Sequence, residues 1–347
     1  MYHPADTGPF ASFALSHALF MMTSTTERFL AHTGVTVPLI GGPMYPCSNP
    51  ELVGAISAAG ALGVLQPISL TYVHGHEYRA GIQLIQRLAG GRPIGMNALI
   101  EASSRSYRAR MERWIDVALE EGVKFILTSL GNPRWVVERA HAAGAVVYHD
   151  ATERKWGEKA LQAGVDGLIG VNARAGGHAG GLGPEALLDE LAPLGLPVVC
   201  AGGVGDAATF ARMLTLGYAA VQCGTRFIAT TECNAGDAYK RAILDAEAKD
   251  VVLTDRLTGV PVAVLNTPFV QQLGLHSGPV VRWLLRNPRT KKWMRSYFAL
   301  RTVMRLKKSL HQDAPKDYWQ AGQSVEGIER VEPAGEIVRR FAAEVGR

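Results

Sequence analysis

The chain has 347 residues, 47% hydrophobic and 19% charged, with 38 glycines and 18 prolines, which excludes a disordered, collagenous or coiled-coil protein. The length fits one large domain, or one domain with an appendage. Formal charge is only +5, yet eleven Lys/Arg and no acid fall between Arg256 and Gln312, so a mildly acidic body carries one basic stretch.

Taken in chain order, residues 1–27 read as a disordered extension. The apolar run 10–22 lacks the basic n-region and A-x-A site of an export signal, and an over-long start, with the true beginning near Met21 or Met22, is the other account. No apolar run is long enough for a membrane-spanning helix. From 35 to 225, short β-branched runs alternate with amphipathic stretches of helical period. Eight strands are predicted, at 37–42, 62–66, 93–97, 123–128, 145–149, 166–171, 197–201 and 219–223. Their starts lie 21 to 31 residues apart, the length of a strand, a turn, a helix and a turn. Eight such units favour a closed (β/α)8 barrel over an open doubly wound sheet. Asn49-Pro50-Glu51 and Asp206 read as helix N-termini, and Gly60, Gly122, Gly144, Gly164 and Gly217 as left-handed helix ends.

After Thr225 the pattern changes to longer helical segments broken at Gly274, Gly278 and Pro288, with no further strand alternation. The expected organisation is a barrel of residues 28–230 plus 320–347, with a mostly helical substrate or lid domain at 231–319. The amphipathic stretch 325–345 is expected to return as the barrel's last helix.

In such a barrel the functional groups gather at the carboxyl ends of the strands. Ala201-Gly202-Gly203 ends the seventh strand and Gly224-Thr225 the eighth, where glycines let backbone amides approach a phosphate without a Cβ in the way. A tight turn is the plainer reading of Gly-Gly, but two such loops on neighbouring strands favour a phosphate-bearing ligand. After the sixth strand, Ala173 to Gly181 surrounds His178 with glycine, so its imidazole has no packed surroundings and suits proton transfer near neutrality. Asn97 and Thr128 end strands three and four; each either caps the next helix or faces a heteroaromatic ring. His141, His149, His74 and His76 have weaker claims, and no pair has metal spacing. The four cysteines also lack zinc or C-x-x-C spacing and read as reduced thiols of a cytoplasmic protein, Cys200 and Cys223 buried, Cys47 either packed or facing the pocket.

Pro38-Leu39-Ile40-Gly41-Gly42-Pro43-Met44, Asn49-Pro50-Glu51-Leu52, Ala175-Gly176-Gly177-His178-Ala179-Gly180, Ala201-Gly202-Gly203 and Gly224-Thr225-Arg226-Phe227 occur in this order, with Trp319-Gln320-Ala321-Gly322-Gln323-Ser324 beyond. Together they resemble the nitronate monooxygenase family, formerly 2-nitropropane dioxygenases. Gly131-Asn132-Pro133 is similar to a loop of the related flavin-dependent enoyl-acyl-carrier-protein reductases. The resemblance implies an FMN-dependent TIM barrel in which Pro43, Met44 and Tyr45 line the flavin ring. Gly176, Gly177, Ala201, Gly202, Gly203, Gly224 and Thr225 would hold ring edge and phosphate, and His178 would be the catalytic histidine. Two departures stand out: Arg174 replaces the acid common before Ala-Gly-Gly-His, and Asp150 stands where some members have a lysine or a small residue. A carboxylate beside the ring disfavours an anionic reduced flavin, whereas Arg174 would offset it or bind an anionic substrate.

The leading expectation is oxidation of alkyl nitronates with dioxygen to a carbonyl compound and nitrite. The alternative is NAD(P)H-dependent reduction of an enoyl thioester or quinone by the same flavin. From another class, the basic stretch with Trp283, Trp293 and Tyr297 is compatible with nucleic acid, but reads better as the solvated face of a helical lid that draws acidic substrates or acyl carriers. Small-molecule substrate and dioxygen are thus the expected partners, with no nucleic acid, and a homodimer is compatible with the chain.

Overall fold

The fold is that of a computed structural model, which describes residues 24–100, 105–257, 259–278 and 318–346, with positions 281, 283, 284, 287 and 290. The expected N-terminal extension, up to residue 23, and most of the basic stretch lie outside the described residues. Eight parallel strands close into one barrel in chain order: β1 (Leu39–Gly41), β2 (Leu62–Leu65), β3 (Ile94–Leu99), β4 (Phe125–Ser129), β5 (Val146–Ala151), β6 (Gly167–Val171), β7 (Val198–Ala201) and β8 (Ala220–Cys223). Each predicted strand overlaps one of these. Covered on both faces, they read as continuous apolar runs such as Phe125-Ile126-Leu127.

Two cores follow from the alternation of side chains along each strand. The inner one fills the barrel with Ile40, Leu62, Val64, Phe125, Leu127, Tyr148, Ile169, Val199, Ala201 and Ala220. Phe29 of α1 (Ser24–Thr33) joins it. The outer core lies beneath the helices and takes the opposite faces, including Leu39, Met96, Ala98, Ile126, Val147, Cys200, Val221 and Cys223. Burial of each large apolar side chain contributes about 1.5–3 kcal/mol.

The outer ring comprises α2 (Pro50–Ala58), α3 (Tyr78–Leu88), α4 (Arg105–Glu120), α5 (Arg134–Ala142), α6 (Arg154–Gln162), α7 (Pro184–Leu191) and α8 (Ala207–Leu216). The five expected glycine stops all have positive φ, from +65° at Gly144 to +112° at Gly217. Asp206 caps α8 through the Thr209 amide at 2.7 Å. Asn49 precedes α2 but makes no side-chain cap; its Nδ2 donates to Glu232 O at 2.8 Å and ties the first βα loop to the chain after β8.

After β8 only a single turn, α9 (Thr225–Ile228), follows directly. The eighth place in the ring is filled by α12 (Ala334–Glu344), packed against α8 and α2, as the amphipathic tail predicts. Between them run α10 (Asp237–Leu244), β9 (Val251–Thr254), β10 (Val262–Leu265) and α11 (Pro268–Leu273). The antiparallel pair β9–β10 corrects the expectation of no strands beyond Thr225. The β-branched runs Val251-Val252 and Val262-Ala263-Val264 carry it, and Val262 and Val264 are buried in a separate cluster with Leu257, Val270 and Tyr318. Among the described residues no helix is long and apolar enough to cross a membrane.

Candidate active site

Strand register decides which side chains reach the barrel mouth, because parallel register partners share a face. Asn97 pairs with Leu127, Asp150 with Ile169 and Gln222 with Ala201, and each partner belongs to the inner core. Asn97, Asp150 and Gln222 therefore face inward at the top of their strands. Ser129 joins them, its hydroxyl donating to Asp150 Oδ2 at 2.7 Å. Thr128 does not: it pairs with Ala98 of the outer core and with His149. Its Oγ1 lies 3.1 Å from Tyr148 O and 2.8 Å from His149 Nδ1. Thr128, expected to point at the mouth, faces the outer layer and its neighbour Ser129 takes the inward place, since β4 runs one residue further than predicted and one step along a strand exchanges faces. Neither Asn97 nor Thr128 caps a helix; Asn97 Nδ2 donates to Leu127 O at 3.3 Å.

This polar floor contains two oxygens that demand partners. Asp150 Oδ1 and Gln222 Oε1 are enclosed without a hydrogen bond. Burial pushes the Asp150 carboxyl up to about 6, with the Ser129 hydrogen bond opposing. His149, on the outer face, is pushed down to about 4 by burial and is thereby a neutral packing histidine.

The opposite rim is built from backbone. Gly202 and Gly203 have φ of +120° and +81°, conformations that favour glycine, and neither amide donates to an acceptor among the described residues. A Cβ on Gly202 would lie 2.6 Å from Ala175 N, and one on Gly176 would lie 2.9 Å from Gly322 N. The loops after β6 and β7 and the 320–323 segment are thus in backbone contact. Gly322 N donates to Thr225 Oγ1 at 3.0 Å, and Gln323 N to Arg174 O at 2.9 Å. Tyr239 of α10 stacks on Trp319 at 5.4 Å and donates to Gln320 O, holding that segment in place.

The hairpin explains why the glycine-rich loop is ordered. Ala263 N of β10 donates to Gly177 O at 2.7 Å, and Val264 bridges to Gln320 on the same strand. His178 beside this anchor is reached by solvent at its edge and has no hydrogen-bond partner among the described residues. The surrounding wall still lowers its pKa by desolvation, so the imidazole is neutral at pH 7. Pro43, Met44 and Tyr45 are half-buried; Met44 Sδ lies 3.6 Å from a Cβ position on Gly224, and Tyr45 packs on the hairpin cluster.

The other residues singled out in the sequence take these places. Arg174 carries its guanidinium to Gln323 Oε1 at 3.2 Å and Glu326 at 3.5 Å, and does not offset Asp150. Gly131 and Asn132 leave the mouth to line a cavity of about 340 Å3 with Ile100, Tyr107 and Trp135. Cys47 is buried in the outer core, as are Cys200 and Cys223. His74 bonds Pro46 O at 3.0 Å and Asn234 at 3.2 Å, and His141 pairs with Asp166. Sequence reasoning missed Gln222 and Ser129, although the position before Cys223-Gly224-Thr225 and the parity of β4 were readable. It also missed Arg226, 1% exposed, which donates to Ala229 O and Arg330 O at 2.9 Å and lies 3.7 Å from buried Glu332.

A profile of the nitronate monooxygenase family matches residues 27–344. The chain belongs to the nitronate monooxygenase family. It is 30% identical to a nitronate monooxygenase of Pseudomonas aeruginosa, over 67% of this chain and 78% of the relative. It is also 31% identical to the (3aS,4S,5R,7aS)-5-hydroxy-7a-methyl-1-oxo-octahydro-1H-indene-4-carboxyl-CoA dehydrogenase of Mycobacterium tuberculosis, over 69% of this chain and 66%, just under two thirds, of that protein. Among solved structures, nitroalkane oxidase from Streptomyces ansochromogenes superposes with a TM-score of 0.72 at 26% identity, covering 92% of this chain and 97% of the other. FabK from Thermotoga maritima gives 0.75 at 24%, covering 92% and 95%, a likeness of fold. The chain is accordingly a flavin-dependent oxidoreductase of the nitronate monooxygenase type, built on a TIM barrel.

Proposed function

We propose that the barrel mouth holds FMN and that the enzyme oxidises alkyl nitronates with dioxygen to a carbonyl compound and nitrite. The observation that carries the reading is the pair Gly202-Gly203 at the end of β7, left-handed and with amides that lack acceptors, beside Gly224-Thr225 at the end of β8. Oriented amides of this kind suit a terminal phosphate. The unpartnered Gln222 Oε1 and Asp150 Oδ1, with Asn97 and Ser129, match the polar edge of a flavin ring. Pro43, Met44, Tyr45, Gly176, Gly177 and Ala201 would line that ring.

When bound, FMN supplies the electron acceptor between substrate and dioxygen. The chain's own residues position and move the proton. His178, neutral because its surroundings disfavour the imidazolium, takes the proton alpha to a nitro group or orients the nitronate by a hydrogen bond. The loop that carries it is fixed by β10, so its imidazole is presented from a backbone frame.

A second reading, NAD(P)H-dependent reduction of an enoyl thioester or quinone, draws on Asp150, because an ionised carboxylate in the floor opposes an anionic nitronate. The name of the Mycobacterium tuberculosis relative, a carboxyl-CoA dehydrogenase, favours a thioester as substrate, taken there in the oxidising direction. Anaerobic stopped-flow mixing separates the two. Bleaching of the flavin band by small nitronates, and not by NADH or NADPH, supports the oxygenase. Rapid bleaching by a nicotinamide with none by nitronates supports the reductase.

A further inference from the structure

The proposed function leaves open which protonation state Asp150 takes when the mouth is covered. Its carboxyl sits on the inner face of β5, with Oδ2 taken by Ser129 and Oδ1 enclosed and unpartnered. An ionised carboxylate so placed has one oxygen with nothing to accept from, whereas a carboxylic acid needs only an acceptor for its single proton. We infer that Asp150 is the proton-holding residue of the barrel mouth: it takes up one proton from solvent when a ligand covers the floor, and presents that ligand with a neutral hydrogen-bond donor. The inference rests on the reading that FMN lies over the mouth.

The groups facing this carboxyl leave it without a charge partner. β6 (Gly167–Val171) carries no titratable side chain, and on β4 only Ser129 bonds it. On β5 itself, Tyr148 lies one step below on the same face with its phenol pushed up by burial, and His149 turns to the outer face. Asn97 of β3 and Gln222 of β8 are uncharged, His178 is neutral, and Arg174 is engaged by Gln323 and Glu326. Burial is the largest influence on Asp150, and no charged group among the described residues contributes.

The sign follows directly. With its carboxyl at about 6 before the mouth is covered, Asp150 is ionised at neutral pH. Excluding further water raises the value again, so the bound state holds more protons, and affinity falls as pH rises by up to about tenfold per unit. A neutral acid in the floor also removes the repulsion that an anionic nitronate would otherwise meet.

The test is FMN dissociation from the full-length protein between pH 6 and 9, read by flavin fluorescence, for wild type, Asp150→Asn and Ser129→Ala. The FMN phosphate also titrates near the lower end of this range, so the informative quantity is the difference between wild type and Asp150→Asn. Asp150→Asn is expected to bind at least about tenfold more tightly than wild type at pH 8.5 and to differ by less than about threefold at pH 6. Ser129→Ala, which removes the bond favouring the ionised form, moves the onset of weakening to higher pH. Parallel pH profiles for wild type and Asp150→Asn overturn the inference. Should Asp150→Asn fail to fold, calorimetry of wild type in two buffers of different ionisation enthalpy replaces it: uptake approaching one proton per FMN beyond that of the phosphate supports the inference, and none overturns it. Carbon-13 titration of the aspartates in flavin-free protein distinguishes the two failures. A midpoint near 6 with no FMN binding defeats the assignment of FMN, and FMN binding without proton uptake defeats the role of Asp150.

Discussion

The two halves of the barrel mouth are made of different materials. Around β7 and β8 the rim is backbone: Gly202, Gly203 and Gly224 offer amides, and their geometry is set by φ values and close chain contacts. Around β3 to β5 the floor is side chain: Asn97, Ser129 and Asp150 offer an amide, a hydroxyl and an acid whose states depend on burial. On the proposed function, the first half would recognise by shape and fixed dipoles, while the second would be tunable by protonation. The backbone half must therefore fail through steric change and the side-chain half through protonation.

The largest effect is expected on the backbone side. Gly202→Val places a β-branched residue at φ +120° with its Cβ 2.6 Å from Ala175 N, so the purified variant should carry no flavin by absorbance. His178→Gln leaves both halves intact and should lower turnover by about 10²–10⁴ while FMN affinity stays within about threefold. A comparable loss of flavin would place His178 in the cradle and erase the distinction.

Behind the β8 loop, the buried Arg226 donates to Ala229 O and Arg330 O, and Arg226→Ala should cost about 1–3 kcal/mol in urea unfolding because it leaves those carbonyls without a donor, while Glu332 keeps Arg340. Glu332 itself is held below the usual carboxylate range, first by its hydrogen bond with Arg340. Its contribution is complete above about pH 4.5, the ordinary value for glutamate, and is lost as pH falls through the lowered folded value. Glu332→Gln should therefore flatten the acid limb of stability without altering the neutral-pH dependence of flavin binding. The smallest effect tests strand parity. Thr128→Val loses the bonds to Tyr148 O and His149 and should cost about 0.5–1.5 kcal/mol of stability with FMN affinity unchanged, whereas Ser129→Ala should alter the pH profile of binding at little cost in stability. The reverse pattern would put Thr128 in the mouth.

The same contrast governs what could be read beforehand. Glycine has few reasons to recur at strand ends, so Gly202, Gly203 and the helix stops at Gly60 or Gly217 were legible from residue type and spacing alone. A side chain's direction depends on where a strand begins and ends, and a prediction ending β4 at Thr128 makes the wrong residue the last inward group. Gln222 was hidden for a related reason: a polar residue inside an apolar run resembles an edge, and only its register with Ala201 shows that it faces the axis. The hairpin β9–β10 escaped because its strands are four residues each and follow a long helical pattern. The tethering roles of Asn49 and Arg226 depend on partners 183 and 104 residues away, which no local pattern encodes.

The seat of the phosphate on the glycine loops is tested most directly by comparing equilibrium binding of FMN and riboflavin to the full chain at pH 7. Amide bonds to a charged phosphate are worth about 1.5–3 kcal/mol each, so two of them predict FMN binding at least about 100-fold tighter than riboflavin. Gly202→Val should abolish that advantage. Equal affinity for the two flavins, or no binding of either, would contradict the account.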